Sequence, residues 1–188
     1  MDIQEKFTQA RSQIKTGDII LYSRTGGLAR IIRWADNAYY NHAGVAYWIG
    51  DRLFTIDAWD NGTELVPLSR RIGVYKDFCV IRKTEVNAIE LRTACNNLMN
   101  RVERDEPYGW AELVRRLIWM KIINKNNRLA WIENWINKKR RPVCSDVARD
   151  FGVDFGIKCY KDLVLPTPED LKRFADKSEV QILWDDKK

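Results

Sequence analysis

The chain has 188 residues, of which 45% are hydrophobic and 11% are aromatic. A chain of this length and composition can pack one core without the help of disulfides or metal ions. No segment reaches the roughly 20 apolar residues of a membrane-spanning helix, and the first residues lack the basic and apolar stretches of a secretory signal. We therefore expect a single domain over residues 1–188 that is cytoplasmic as synthesised.

Charge and cysteine content limit the possible partners. The net charge of +6 favours anionic partners in general, such as nucleic acid, phospholipid head groups or bacterial wall polymers. The four cysteines form no C-x-x-C pair, and the one histidine of the chain cannot build the usual zinc site with them. The sequence thus predicts no metal and no cofactor.

Strands dominate the prediction for the first half of the chain. Residues 3–14 have the apolar spacing of a short amphipathic helix, and a buried strand follows at residues 18–23. After a helical pattern at residues 28–35, two β-type runs are joined by Gly50-Asp51, which favours a hairpin with a type II′ turn. Two further short strands are expected, near residues 63–67 and 78–82.

Helices dominate the prediction for the second half. Apolar spacing predicts one helix over residues 86–106, a second after residue 108 and a third near residues 128–136. Residues 108–141 form an insertion rich in tryptophan: Trp110, Trp119, Trp131 and Trp135. Such an insertion could cover a site, bind a wall polymer or touch lipid, although an amphipathic helical pair that closes the core is the commoner arrangement.

The end of the chain returns to mixed structure. A helix is expected to begin at Cys144, and residues 166–171 have the pattern of a loop that caps another short helix. A last strand is predicted at residues 180–184.

The hairpin places the histidine beside an aspartate. If Gly50-Asp51 is the turn, alternation puts His42 and Asp57 on one face as diagonal neighbours, about 7 to 8 Å apart at the backbone. The carboxylate could then fix the ring tautomer and stabilise the imidazolium. The small residues Gly44 and Ala46 on the same face leave room for another element to pack over the histidine. Considered without context, a lone histidine is more often a surface or core residue than a catalytic one.

Cys144 is the cysteine whose position suits chemistry. It follows Pro142 and begins an apparent helix that ends at Gly152. The unpaired amides and the dipole of a helix N-terminus favour a thiolate and can help to stabilise an oxyanion. A free cysteine is more often a buried structural residue. The other three cysteines fit that interpretation: Cys79, Cys95 and Cys159.

Five short motifs together resemble the NlpC-type papain-like superfamily. In chain order they are Gly17-Asp18-Ile19-Ile20, Asn41-His42-Ala43-Gly44-Val45, Ile56-Asp57-Ala58, Cys144-Ser145-Asp146-Val147 and Thr167-Pro168-Glu169-Asp170-Leu171. In ordinary members the cysteine helix precedes the histidine strand. Here the histidine comes first, which resembles the circularly permuted branch that includes YiiX-like proteins and the relatives of lecithin retinol acyltransferase.

The resemblance implies a fold and a reaction. The fold would be α+β and of the circularly permuted papain-like (NlpC-type) kind, with a small antiparallel sheet packed against helices that include the cysteine helix. The reaction would be acyl transfer from an amide or ester to water through a thioacyl intermediate. In that reaction Cys144 would attack the carbonyl, His42 would take and return the proton, and Asp57 would orient His42.

Kinship with wall-peptide hydrolases favours a peptidoglycan peptide endopeptidase or amidase. Without a signal peptide, such an enzyme would need a phage lysis system, a virion or a dedicated secretion machine to reach its substrate. One alternative is a lipid acyl hydrolase or acyltransferase, which the tryptophan-rich helices would support. Another is a non-catalytic binding module on the same fold, but the joint presence of Cys144, His42 and Asp57 argues against it. Nucleic acid is not expected as a partner.

Overall fold

The computed structural model describes residues 2–24, 26, 29–30, 34, 38–115, 142–163, 166–175 and 179–186. Its strands are β1 (Ile19–Ser23), β2 (His42–Ile49), β3 (Arg52–Trp59), β4 (Gly62–Pro67), β5 (Asp77–Lys83) and β6 (Val180–Asp185). Its helices are α1 (Ile3–Arg11), α2 (Leu68–Ile72), α3 (Ala88–Glu103), α4 (Cys144–Asp154) and α5 (Pro168–Ala175), with a 3₁₀ turn at Lys158–Tyr160. Residues 110–115 are also helical.

The described strands form one six-stranded antiparallel sheet, in the order β4-β3-β2-β1-β5-β6. The fold is therefore α+β, and each strand predicted from the sequence is confirmed to within about two residues. The sequence did not predict α2. The helical patterns at residues 28–35 and 128–136, and the insertion beyond residue 115, lie mostly or entirely outside the described residues.

The central hairpin has the predicted register. The β2–β3 ladder runs from the Ile49–Arg52 pair to the Val45–Ile56 pair. Gly50 has φ of +58°, a backbone conformation that glycine adopts without steric cost at the first central position of a type II′ turn. Because side chains alternate along a strand, this register fixes which residues of β2 and β3 share a face.

Helices cover both faces of the sheet. On one face, Ala43 and Val45 of β2 belong to a core that includes Leu98 of α3 and Val147 and Phe151 of α4. On the other face, the apolar core joins strands to α1 and α2: its members include Phe7, Ile20, Tyr22, Ala46, Leu68, Ile72 and Phe78. The cysteine helix α4 thus packs against the sheet, as the fold prediction required.

The sequence predicted both α3 and α5. In α3, Ala94 and Leu98 are buried as the apolar spacing predicted, but Ile89 is 68% exposed, since it lies in the first turn, before the first buried residue of the helix. Thr167 caps α5 as predicted: its hydroxyl accepts from the Asp170 amide at 3.1 Å, and the Asp170 carboxylate accepts from the Thr167 amide at 3.1 Å.

In the described part of the chain, no helix is long and apolar enough to cross a membrane.

Candidate active site

The hairpin brings His42 and Asp57 into direct contact. His42 is the first residue of β2, and its Nε2 lies 2.7 Å from Oδ2 of Asp57 on β3. A Cβ added at Gly44 would lie 2.4 Å from Oγ1 of Thr55 and 3.1 Å from Cβ of Asp57. The space beside Gly44 is therefore filled by side chains of the partner strand of the hairpin.

Asp57 is held from its other side by an arginine that sequence reasoning missed. Arg71 donates from Nε to Oδ2 of Asp57 at 3.1 Å and from Nη2 to Oδ1 at 3.0 Å. Arg71 Nη2 also donates to Oε1 of Glu64, the residue opposite Asp57 on β4, at 2.6 Å. Burial lowers the pKa of Arg71, but both carboxylates raise it above its ordinary value. Because Asp57 is fully buried and doubly bonded to Arg71, its carboxylate has one orientation toward His42.

The first turn of α4 is fixed around Cys144. The Val143 amide donates to Oδ2 of Asp146 at 3.1 Å, so the third helical residue reaches back to cap the residue before the helix. Oγ of Ser145 donates to the Pro166 carbonyl at 2.7 Å and ties this turn to the segment before α5. The Cys144 amide makes no hydrogen bond to any described residue, which leaves it able to donate to an oxyanion.

Cys144 and His42 interact although they are distant in the chain. With Nε2 held by Asp57, the nitrogen of the imidazole that remains for the thiol is Nδ1. Burial lowers the pKa of His42, but the charge and hydrogen bond of Cys144 and the contact with Asp57 raise it to about 9. Asp57 and Cys144 thus both favour the protonated form of the imidazole.

Aromatic rings enclose the histidine. The ring centroids of Tyr22, Tyr75 and Trp59 lie 5.7, 5.8 and 4.9 Å from that of His42. Burial raises the pKa of Tyr22 and of Tyr75 above the ordinary value, so both phenols stay protonated. Surroundings of this kind exclude water and strengthen the electrostatic interaction between an imidazolium and a thiolate.

A cleft of about 210 Å³ opens beside His42. Its wall consists of aromatic, polar and small residues: Arg24, Gly26, Ala29, Asn41, His42, Trp59, Asp60, Tyr75, Tyr108 and Trp110. Cys144 is 6% exposed and is not part of this wall. A ligand that fills the cleft therefore meets His42 before it meets the sulfur.

The other three cysteines have different surroundings. Burial raises the pKa of Cys79 to about 12 and that of Cys95 to about 11. Cys159 is half-buried, and its Sγ lies 3.9 Å from the Phe174 carbonyl oxygen. All four cysteines are free thiols. The structure thus agrees with the interpretation of Cys79 and Cys95 as buried structural residues.

Neither protein-family models nor curated proteins match the sequence. Among solved structures, the chain is similar to that of the metalloprotein yiiX (DUF1105) from Escherichia coli O157:H7, with a TM-score of 0.60 and 13% identity, over 93% of this chain and 98% of that one. The chain has a YiiX-like fold. The likeness extends to the fold alone, because 13% identity is too low to carry an activity or a site from one protein to the other.

The described residues do not fit a metal site. They contain no group of three or more histidine, cysteine, aspartate or glutamate side chains that could hold a metal ion. Near Cys144, Nε2 of His42 is bonded to Asp57, and both oxygens of Asp57 are bonded to Arg71.

Proposed function

We propose that this protein is a cysteine-dependent hydrolase that cleaves an amide bond. One observation carries the proposal: the buried His42 is bonded to Asp57 at 2.7 Å, and Cys144 at the start of α4 is near enough to raise the pKa of His42. This is the nucleophile, base and orienting acid of a catalytic triad. Since His42 precedes Cys144 in the chain, a circularly permuted papain-like arrangement is part of the proposal.

The reaction proceeds in two halves. The Cys144 sulfur attacks the carbonyl carbon and forms a C–S bond, while the Cys144 amide donates a hydrogen bond to the developing oxyanion. The C–N bond then breaks as His42 gives its proton to the leaving amine. In the second half His42 takes a proton from water, the hydroxide adds to the thioester, and the C–S bond breaks to release a carboxylic acid. Asp57 holds the His42 tautomer throughout, and Arg71 holds Asp57.

The part of the cleft that described residues line is small. Its volume of about 210 Å³ is below the roughly 300 Å³ at which cavities for drug-sized ligands begin. It suits a group of the size of one or two amino-acid residues. Together with the motif resemblance, this supports a peptidoglycan peptide as the first substrate to test.

The test compares two substrate classes and two cysteine variants. Wild-type protein, Cys144→Ala and Cys159→Ala are incubated with muropeptides and with fluorogenic phospholipids. We expect wild type and Cys159→Ala to release a new amine and carboxylate from muropeptides, and Cys144→Ala to lose at least about 10³-fold in rate. Cleavage of the lipid alone would show that the substrate is a lipid and not a peptide. Full activity in Cys144→Ala would overturn the mechanism.

A further inference from the structure

Two arginines contact the same tryptophan in different ways. The guanidinium carbons of Arg71 and Arg24 lie 4.7 and 5.1 Å from the Trp59 ring centroid. Arg71 is bonded to Asp57 and to Glu64. The Arg24 side chain is exposed, and its guanidinium forms no hydrogen bond or ion pair with a described residue. Beside the candidate catalytic residues, Arg24 thus presents a planar set of N–H donors to the cleft.

The backbone of Arg24 is fixed relative to His42. The Arg24 amide donates to Oδ1 of Asn41 at 3.2 Å, and Nδ2 of Asn41 donates to the Arg24 carbonyl at 3.1 Å. Asn41 is buried, and its own amide donates to the Tyr22 carbonyl at 2.9 Å. Asn41 directly precedes His42, so these two hydrogen bonds hold the Arg24 backbone next to the candidate base. Because its backbone is held and its guanidinium lies over Trp59, Arg24 loses less entropy when it binds a ligand.

The chemistry of the cleft selects the class of ligand. Aromatic residues of the wall, including Trp59, Tyr75 and Trp110, surround Arg24 and Asp60, whose side chains do not pair with each other. The planar guanidinium matches a carboxylate through two parallel N–H···O bonds, and a guanidinium stacked on an indole is already oriented for that contact.

We propose that Arg24, stacked on Trp59, binds a carboxylate of the peptide whose amide bond Cys144 cleaves. This inference rests on the function proposed above and makes Arg24 a specificity-determining residue. Trp59 contacts both groups: its ring centroid lies 4.9 Å from that of His42 and 5.1 Å from the Arg24 guanidinium carbon. The carboxylate would therefore lie on the side of His42 that Trp59 covers.

The first test uses two thiol reagents of nearly the same shape. Iodoacetate carries a carboxylate where iodoacetamide carries a neutral amide, and the rate at which each reagent alkylates Cys144 is followed. We expect Arg24→Gln to lower the ratio of the iodoacetate rate to the iodoacetamide rate by about three- to tenfold, because the cleft beside His42 loses a cation. Asp60→Asn removes an anion from the same cleft and should raise the ratio. An unchanged ratio in Arg24→Gln would overturn the subsite.

The second test separates the subsite from the chemistry. Cys144→Ala protein is titrated with acetyl-Ala-Glu-amide and acetyl-Ala-Gln-amide, which differ by one carboxylate. We expect the first peptide to bind about tenfold more tightly, and Arg24→Gln to remove that preference. If the preference persists while Cys144 proves unreactive, the proposed function fails and the subsite stands. Equal affinities overturn the subsite, as would Arg24-dependent binding to phosphatidylglycerol vesicles without a peptide preference.

Discussion

Asp57 and Asp18 are both almost completely buried, and each accepts two hydrogen bonds from an arginine of another element. Arg71 donates to Asp57 at 3.1 and 3.0 Å, and Arg82 donates to Asp18 at 2.8 and 2.6 Å. The two aspartates differ in their third partner. Asp18 accepts from the Lys15 backbone amide at 2.7 Å, whereas Asp57 is bonded to the His42 imidazole at 2.7 Å.

The third partner decides what a buried aspartate–arginine pair can do. A backbone amide does not titrate, so Asp18 holds the segment after α1 against β5 and serves the fold. Burial raises the pKa of Asp18, and the bonds from Arg82 and Lys15 act against that rise. An imidazole does titrate, so Asp57 passes the rigidity of its arginine contact to a group that can move a proton.

The largest expected difference between the two aspartates is in the rate of catalysis. We expect Asp57→Asn to lower kcat by about 10³- to 10⁴-fold, because the amide favours the wrong tautomer of His42. Asp18→Asn should lower the free energy of unfolding by about 3 kcal/mol and leave kcat unchanged. Urea unfolding and kcat on the same samples make the comparison. Similar losses of kcat in both variants would mean that the third partner is irrelevant.

The free energy of unfolding should depend on pH because Asp57, unlike Asp18, is bonded to a group that titrates, His42. The folded-state pKa of His42, about 9, lies above its unfolded value of 6.5. Protonation of His42 therefore stabilises the fold fully below pH 6.5, and this contribution is lost as the pH rises through 9. We expect a loss of roughly 3 kcal/mol of unfolding free energy over that interval. In Cys144→Ala the loss should be smaller. An equal loss in wild type and Cys144→Ala would contradict the interaction of Cys144 with His42.

Arg71 tests whether the rigidity of Asp57 matters. We expect Arg71→Met to lower kcat about 10- to 100-fold and to raise the pKa of His42, because the Asp57 charge loses its compensating cation. Arg71→Lys keeps the cation and should retain the His42 pKa while losing part of the rate, since one amine cannot bind both oxygens. The matched variant Arg82→Met should change stability alone. A pH–rate profile of the three variants distinguishes these outcomes.

The smallest effects should come from substitution of Gly44, which packs against Thr55 and Asp57. Gly44→Ala places a Cβ 2.4 Å from Oγ1 of Thr55 and 3.1 Å from Cβ of Asp57, so we expect a loss of about 1 to 3 kcal/mol and a lower kcat. Gly73→Ala is the control. Its φ is −60° and its nearest neighbour is Nε2 of Gln4, at the end of a flexible side chain 3.3 Å away. Unfolding curves in which both variants behave alike would contradict the packing described.

The hairpin was predictable from the sequence because its signals are local. Eight residues on each side alternate between faces, and a two-residue turn leaves one register, which puts His42 and Asp57 on the same face as near neighbours. The helix start at Cys144 was predictable for a similar reason, since Pro142 and the polar residues after it mark an N-terminus.

Arg71 could not be predicted in the same way. It lies in a five-residue helix directly after Pro67, which is too short to give an apolar period. Its partners Asp57 and Glu64 lie opposite each other on β3 and β4, and they meet Arg71 because α2, which the sequence did not predict, packs beside that pair. The role of Ser145 in tying α4 to Pro166 was hidden for the same reason. Long-range polar contacts leave no periodic signal in a sequence.

The imidazole resonances of His42 test the central claim most directly, because the chain has one histidine and its titration cannot be confused with another. An NMR titration of wild type, Cys144→Ala and Asp57→Asn gives the His42 pKa in each. We expect a His42 pKa of about 9 in wild type and a lower value in both variants. A wild-type pKa near 6.5 that Cys144→Ala leaves unchanged would contradict the pairing of Cys144 with His42.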